Sequence, residues 1–102
     1  MNKDRKTMNV SVCRIEFRLP ENHSLKGKRH VVKSVITRLQ NRYKVSVAEV
    51  DNQSLWQLVT LGVACVSNHR QHADETLANV VKFVVQNYPD LELLSSDIET
   101  FP

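Results

Sequence analysis

The segment Ser24-Leu25-Lys26-Gly27-Lys28-Arg29 is the part of this chain best suited to chemistry, and that chemistry is anion binding. Ser24 stands before a helically periodic stretch and can cap it. Lys26, Lys28 and Arg29 then fall in the first turn, where a helix already carries about half a positive charge and further cations cost stability. Local rules of this kind are broken where function requires it. Free backbone N–H groups with three cations around them make a phosphate site. At about 100° per residue, Lys26 and Lys33 share one exposed stripe, with His30 and Thr37 nearby. The competing reading is that long cationic side chains cover apolar neighbours and solubilise the helix, since no glycine-rich phosphate loop accompanies them.

Other chemistry-bearing residues are weaker candidates. His69 and His72 sit three apart, a spacing that can ligate metal, but no third ligand stands near and no metal is expected. His23 and His30 flank the basic turn and would add charge at low pH. Glu49, Asp51 and Ser54 cluster where a turn is expected, and turns favour Asp and Ser for backbone reasons, so no catalytic residue is assigned. Leu55 and Trp56 lie at the exit of that turn. They read as hairpin packing or, more sharply, as the anchor of a protein contact.

The elements that position these residues follow from periodicity. Residues 10–19, VSVCRIEFRL, alternate, with Cys13, Ile15, Phe17 and Leu19 on one side and Arg14, Glu16 and Arg18 on the other. That is a half-buried strand, stopped by Pro20. Residues 24–43 carry Leu25, Val32, Val35, Ile36, Leu39 and Tyr43 at helical spacing. VSVAEV (45–50) is a second strand, and QLVTLGVACV (57–66) a third and central one. A second helix begins at Asn68, buries Ala73, Leu77, Val80, Val81, Val84 and Tyr88, and ends at Pro89 and Asp90. Residues 91–101 form a last, less regular strand. The order β-α-β-β-α-β predicts an α+β, ferredoxin-like domain: a four-stranded antiparallel sheet with both helices on one face. Residues 8–102 form that single domain, and residues 1–7 a mobile basic tail.

In this arrangement Arg14 and Arg18 point to the sheet face away from the helices. RNA-recognition domains of similar topology stack bases on aromatics there. The third strand has no aromatic and Phe17 faces the core, so RNA would be bound through phosphates and shape. The plain account of Arg14 and Arg18 is cross-strand pairing with acids such as Glu49 or Glu99, worth under ~1 kcal/mol each.

Charge is strongly segregated along the chain. Twelve of the 14 Lys and Arg residues lie in positions 1–44 against three acids, whereas positions 45–102 hold two cations and eight acids. The net +3 therefore joins a +9 half to a −6 half. Such a basic face attracts phosphate, and nucleic acid is the commonest cellular polyanion. No apolar run reaches the roughly 20 residues of a membrane span. The polar first seven residues lead into no apolar signal region, and two cysteines are too few for a disulfide scaffold. These features predict a cytoplasmic protein with Cys13 and Cys65 reduced and buried, bound to no membrane and using no cofactor.

Two sets of residues resemble a known family. SLKGKR (24–29) with VVKS (31–34), and VSVAEVDNQSLWQ (45–57) with LGVACVSN (61–68), are similar to the YlxP-like family of small bacterial proteins. The pattern S-L-K-x-K-R falls on Ser24, Leu25, Lys26, Lys28 and Arg29. A-E-V-D-x-Q-x-L-W-Q falls on Ala48, Glu49, Val50, Asp51, Gln53, Leu55, Trp56 and Gln57. The resemblance covers about residues 8–95. It implies a ferredoxin-like fold and a cytoplasmic bacterial protein whose relatives are often encoded among translation and ribosome-maturation genes. It implies no catalytic residue and no cofactor.

These readings converge on a non-enzymatic module that binds structured RNA or the ribosome. Phosphates would dock at Ser24, Lys26, Lys28, Arg29 and Lys33, with Arg14, Arg18, Arg38 and Arg42 extending the field. The alternative is a protein-interaction domain that forms a homodimer or other pair through its sheet and through Leu55 and Trp56.

Overall fold

Alternating side chains build the first strand, β1 (Asn9–Arg18), in the computed structural model, which describes residues 7–101. The expected basic tail, residues 1–7, lies outside those residues except for Thr7. After β1 come α1 (Leu25–Tyr43), β2 (Ser46–Asp51), β3 (Leu58–Ser67), α2 (Arg70–Asn87) and β4 (Glu92–Phe101). The strands form one antiparallel sheet in the order β2-β3-β1-β4. The two central strands are therefore β1 and β3, paired with Phe17 opposite Val59 and Cys13 opposite Val63.

This register puts Cys13, Ile15 and Phe17 on the same side as Val59, Leu61, Val63 and Cys65. They share one buried cluster with Val32, Val35 and Leu39 of α1 and Ala73, Leu77, Val80, Phe83 and Val84 of α2. Both helices thus bury their apolar sides in a single core with one side of the central strands. On the other side lie Arg14, Arg18, Gly62 and Ala64. Here β2 bulges between Glu49 and Asp51, and Val50 folds down over Gly62. A Cβ at Gly62 would lie 2.8 Å from Val50 Cγ1, so glycine is what allows this close approach.

Three details differ from the sequence expectation. α2 starts at Arg70 instead of Asn68, with His69 as its first flanking residue and the His69 N–H donating to Ser67 Oγ at 3.1 Å. Phe83, absent from the expected stripe, is buried, whereas Val81 is only partly so. The cause is the helix pair. Tyr43 meets Phe83 edge-on with ring centroids 5.9 Å apart, and Arg38 and Arg42 lie over the Phe83 ring at 4.9 and 5.2 Å. α2 is thereby turned so that Phe83 faces α1. In β4, Leu91 just before the strand is buried, but Leu93, Leu94, Ile98 and Phe101 are exposed, because β4 is an edge strand.

Cys13 and Cys65 are free and buried. Burial pushes the Cys13 thiol up to about 11, and the nearby Asp97 charge adds to the rise while a hydrogen bond with the Asp97 backbone opposes it. The unfolded chain ionises this thiol first, so its contribution to stability is full below the ordinary value of 9.0 and is lost as pH rises toward about 11.

Two outcomes follow. Leu39→Ala should cost roughly 2–4 kcal/mol, and Val81→Ala distinctly less, because the cost depends on how much buried volume is emptied. Equal denaturant midpoints for the two variants would refute this packing. Iodoacetamide at pH 8 should leave both cysteines of the native chain unlabelled, with labelling on unfolding. Mass spectrometry showing rapid native labelling of Cys13 would contradict its burial.

Candidate functional site

The basic turn is built around a well-formed helix start. Ser24 is the N-cap in extended conformation, and its Oγ accepts from the Gly27 N–H at 2.9 Å. The side chain of Asn22 lies directly over Gly27, and a Cβ there would collide with Asn22 Oδ1. From that position Asn22 Nδ2 donates to the carbonyls of both Ser24 and Trp56, each at 2.7 Å. Gln57 Nε2 donates in turn to the Pro20 and Asn22 carbonyls, each at 3.0 Å. Loop 19–24 is thus stitched to loop 52–57 by two amide side chains.

Lys28 does not belong to the exposed basic surface, and here the structure corrects the sequence reading. Its side chain is 0% exposed. Nζ lies 2.8 Å from Glu49 Oε2 and donates to the Asn52 carbonyl at 2.7 Å and the Leu58 carbonyl at 2.9 Å. An ammonium has three N–H donors, and three acceptors surround it. Asn52 takes the left-handed conformation (φ 59°), which asparagine tolerates, and donates through Nδ2 to Thr60 Oγ1. The signal for this burial was present in the sequence. Lys28 continues the stripe Val32, Val35, Leu39 toward the helix start, and Glu49 shares the inward side of its strand with Val47. Two residues along a helix is about 200° around it, so Lys28 points away from Lys26 by geometry alone.

Arg14 and Arg18 are on the open sheet face, as expected, but each faces carboxylates. Arg14 pairs with Glu16 at 3.3 Å and Asp51 at 3.2 Å, and Arg18 pairs with Glu92 at 2.9 Å. These exposed pairs are worth little energetically, yet they offset both charges locally. The two arginines therefore sit in a mixed-charge surface, unlike the cations of the first helix. Glu49 and Glu99 are not the partners: Glu49 is turned inward to Lys28, and Glu99 is opposite Val12.

What remains is the outer surface of α1. This helix contains no Asp or Glu in 19 residues. Lys26, Arg29, His30 and Lys33 are exposed and, with Ser24 and Gly27, line a shallow depression of about 580 Å³. Among the described residues no salt bridge involves Lys26, Arg29, Lys33, Arg38 or Arg42. A phosphate there would meet three cations with no competing carboxylate in the helix. Leu55 and Trp56 are 46% and 53% exposed, so neither is core packing. They line a second depression, with His23, Ser54, Gln57 and Leu58. Among the described residues no three His, Cys, Asp or Glu side chains gather as a metal site, and no helix is long and apolar enough to cross a membrane.

The sequence model of a family described as "Protein of unknown function (DUF503)" matches residues 10–98. A relative, the uncharacterized protein YlxP of Bacillus subtilis (strain 168), is 37% identical over 78 residues, covering 76% of this chain and 84% of its own. The chain belongs to this family. Both motifs that carry the resemblance meet at one point, Lys28 against Glu49, so part of what they encode is the join between α1 and the β2–β3 hairpin.

Lys28→Met should therefore destabilise the fold by about 3–5 kcal/mol, because it leaves the Glu49 carboxylate buried without its cation. Adding Glu49→Leu should restore a large part of the loss, giving strongly non-additive unfolding free energies in urea. Additive effects, or a Lys28→Met variant as stable as the parent, would show that the Lys28–Glu49 pair does not hold this join together.

Proposed function

We propose that this chain is a ferredoxin-like, non-enzymatic cytoplasmic module that binds the phosphate backbone of structured RNA or the ribosome through the exposed face of α1. The observation that carries the reading is the acid-free helix: Lys26, Arg29 and Lys33 are exposed, outside any salt bridge among the described residues, and grouped around one depression. A helix with exposed cations in its first turns and no acid of its own is electrostatically unfavourable by itself. It becomes favourable when phosphates supply the missing negative charge and release their counterions. The acidic second half of the chain, including Asp97 and Glu99 on the far edge strand, would orient the protein so that α1 faces the polyanion.

A second reading, association with another protein chain, draws on different features. β4 is a ten-residue edge strand with exposed Leu93, Leu94, Ile98 and Phe101, and such edges pair readily. The open face also holds a shallow apolar depression of about 430 Å³ between Val12, Ala48, Val50, Gly62 and Ala64.

The two readings separate on salt. Fluorescence anisotropy with a labelled RNA hairpin should give affinity that falls steeply with KCl. Each of Lys26→Ala, Arg29→Ala and Lys33→Ala should flatten the log–log slope by about one unit. The Lys26 and Arg29 variants should be as stable as the parent or slightly more so, since each removes a cation from the positive end of the helix, and Lys33→Ala, at mid-helix, should leave stability unchanged. Lys28 has no place in this series, because its side chain is buried against Glu49. A triple variant that binds RNA like the parent ends the RNA reading. A salt-resistant dimer in sedimentation, with no RNA affinity, favours the second.

A further inference from the structure

We infer that Trp56 stacks an unpaired base beside the cationic face of α1, so that the RNA taken by this site is single-stranded or looped and not continuous duplex. The inference rests on the RNA reading above and names its substrate class. A lone exposed tryptophan on a soft loop would carry nothing. This one is held on both sides. Its own carbonyl accepts from Asn22 Nδ2, Gln57 is bound to two carbonyls of loop 19–24, and the Leu58 carbonyl accepts from the buried Lys28 ammonium. Trp56 is nevertheless 53% exposed, so the fold fixes the backbone of a residue that stays open to a partner. Fixing a platform in advance lowers the ordering cost of binding.

Its place matters as much as its rigidity. One nitrogen, Asn22 Nδ2, touches both the Trp56 carbonyl and the carbonyl of Ser24, the residue that opens the cationic depression. The backbone that bears Trp56 and the helix start that opens the cationic depression are therefore neighbours, joined through a single side chain. A nucleotide has the same two parts a short distance apart: a flat base and a charged phosphate. Single-strand binders combine these features, a basic groove for the backbone and aromatics for the bases. Paired bases in an A-form duplex are stacked on one another and unavailable to such a ring. The central strands offer no substitute, because their open-face positions near Arg14 are Val12, Glu16, Thr60, Gly62 and Ala64.

Trp56 is the chain's only tryptophan, so its fluorescence reports on this site alone. The experiment titrates the full chain with a single-stranded oligouridine and with a fully paired RNA duplex of equal length at low salt. Oligouridine should quench the indole, and duplex should not. Trp56→Ala should weaken oligouridine binding about 5- to 150-fold, leave duplex affinity unchanged, and be largely rescued by Trp56→Phe. If Trp56→Ala binds oligouridine like the parent while the Lys26, Arg29 and Lys33 alanine variants do not, stacking is wrong and the phosphate reading stands. If neither RNA binds, or the charge variants have no effect, the RNA reading has failed and this inference falls with it. Indole emission that follows protein concentration and ignores RNA assigns Trp56 to a protein contact and overturns the proposal. Should Trp56→Ala unfold, the quenching and the Trp56→Phe variant decide.

Discussion

The buried ammonium of Lys28 is the interaction on which the functional end of this molecule depends. An ammonium removed from water is costly unless charge and hydrogen bonds are both restored. Glu49 restores the charge, and the Asn52 and Leu58 carbonyls take the remaining donors. Those acceptors come from three places in the β2–β3 hairpin, so the cation can be satisfied only when α1, β2 and the intervening turn are in their final positions. The left-handed Asn52 and the bulge before Asp51 have a reason in this geometry, since they bring a carbonyl to the ammonium where a regular hairpin would direct it elsewhere. Such a pair contributes more to defining one arrangement than to net stability, because a well-packed apolar replacement can be as stable.

Around that lock the amides of Asn22 and Gln57 complete the join between the two loops, and glycine at position 27 leaves room for the Asn22 side chain. The join keeps the first turn of α1 and the loop bearing Trp56 side by side. It also explains why basic and acidic residues of two separated motifs occur together. One cation of the basic turn is structural, and its neighbours Lys26 and Arg29 are presented outward because the inward one fixes the helix rotation.

The surface follows the same division. Cations of the open sheet face are matched by Asp51, Glu16 and Glu92, whereas those of α1 have no acid in their own helix. Toward its C-terminal end, Arg38 and Arg42 lie over the rings of Phe83, Tyr88 and Tyr43, which bind the two helices together while the guanidinium groups stay at the surface. Among the described residues the segregation seen along the chain therefore becomes segregation in space, with one helix carrying most of the positive charge outside salt bridges.

The sequence by itself determined the element order, the strand alternation that buries Cys13, Ile15 and Phe17, a helix over 24–43 with its Ser24 cap, and the uneven charge. These are local properties, set by side-chain spacing within a few residues. It also placed Arg14 and Arg18 on the correct face, because alternation alone decides that. The partners of those arginines, the inward turn of Lys28, the burial of Phe83 in place of Val81 and the neighbourhood of Trp56 and Ser24 were decided only by tertiary structure. Apart from the Arg14–Glu16 pair, each depends on residues 21 to 74 positions apart, or on how one helix is rotated against another. A cation on an apolar stripe is legible as an anomaly in one dimension. Whether it meets solvent or a carboxylate is settled by what the fold brings opposite it.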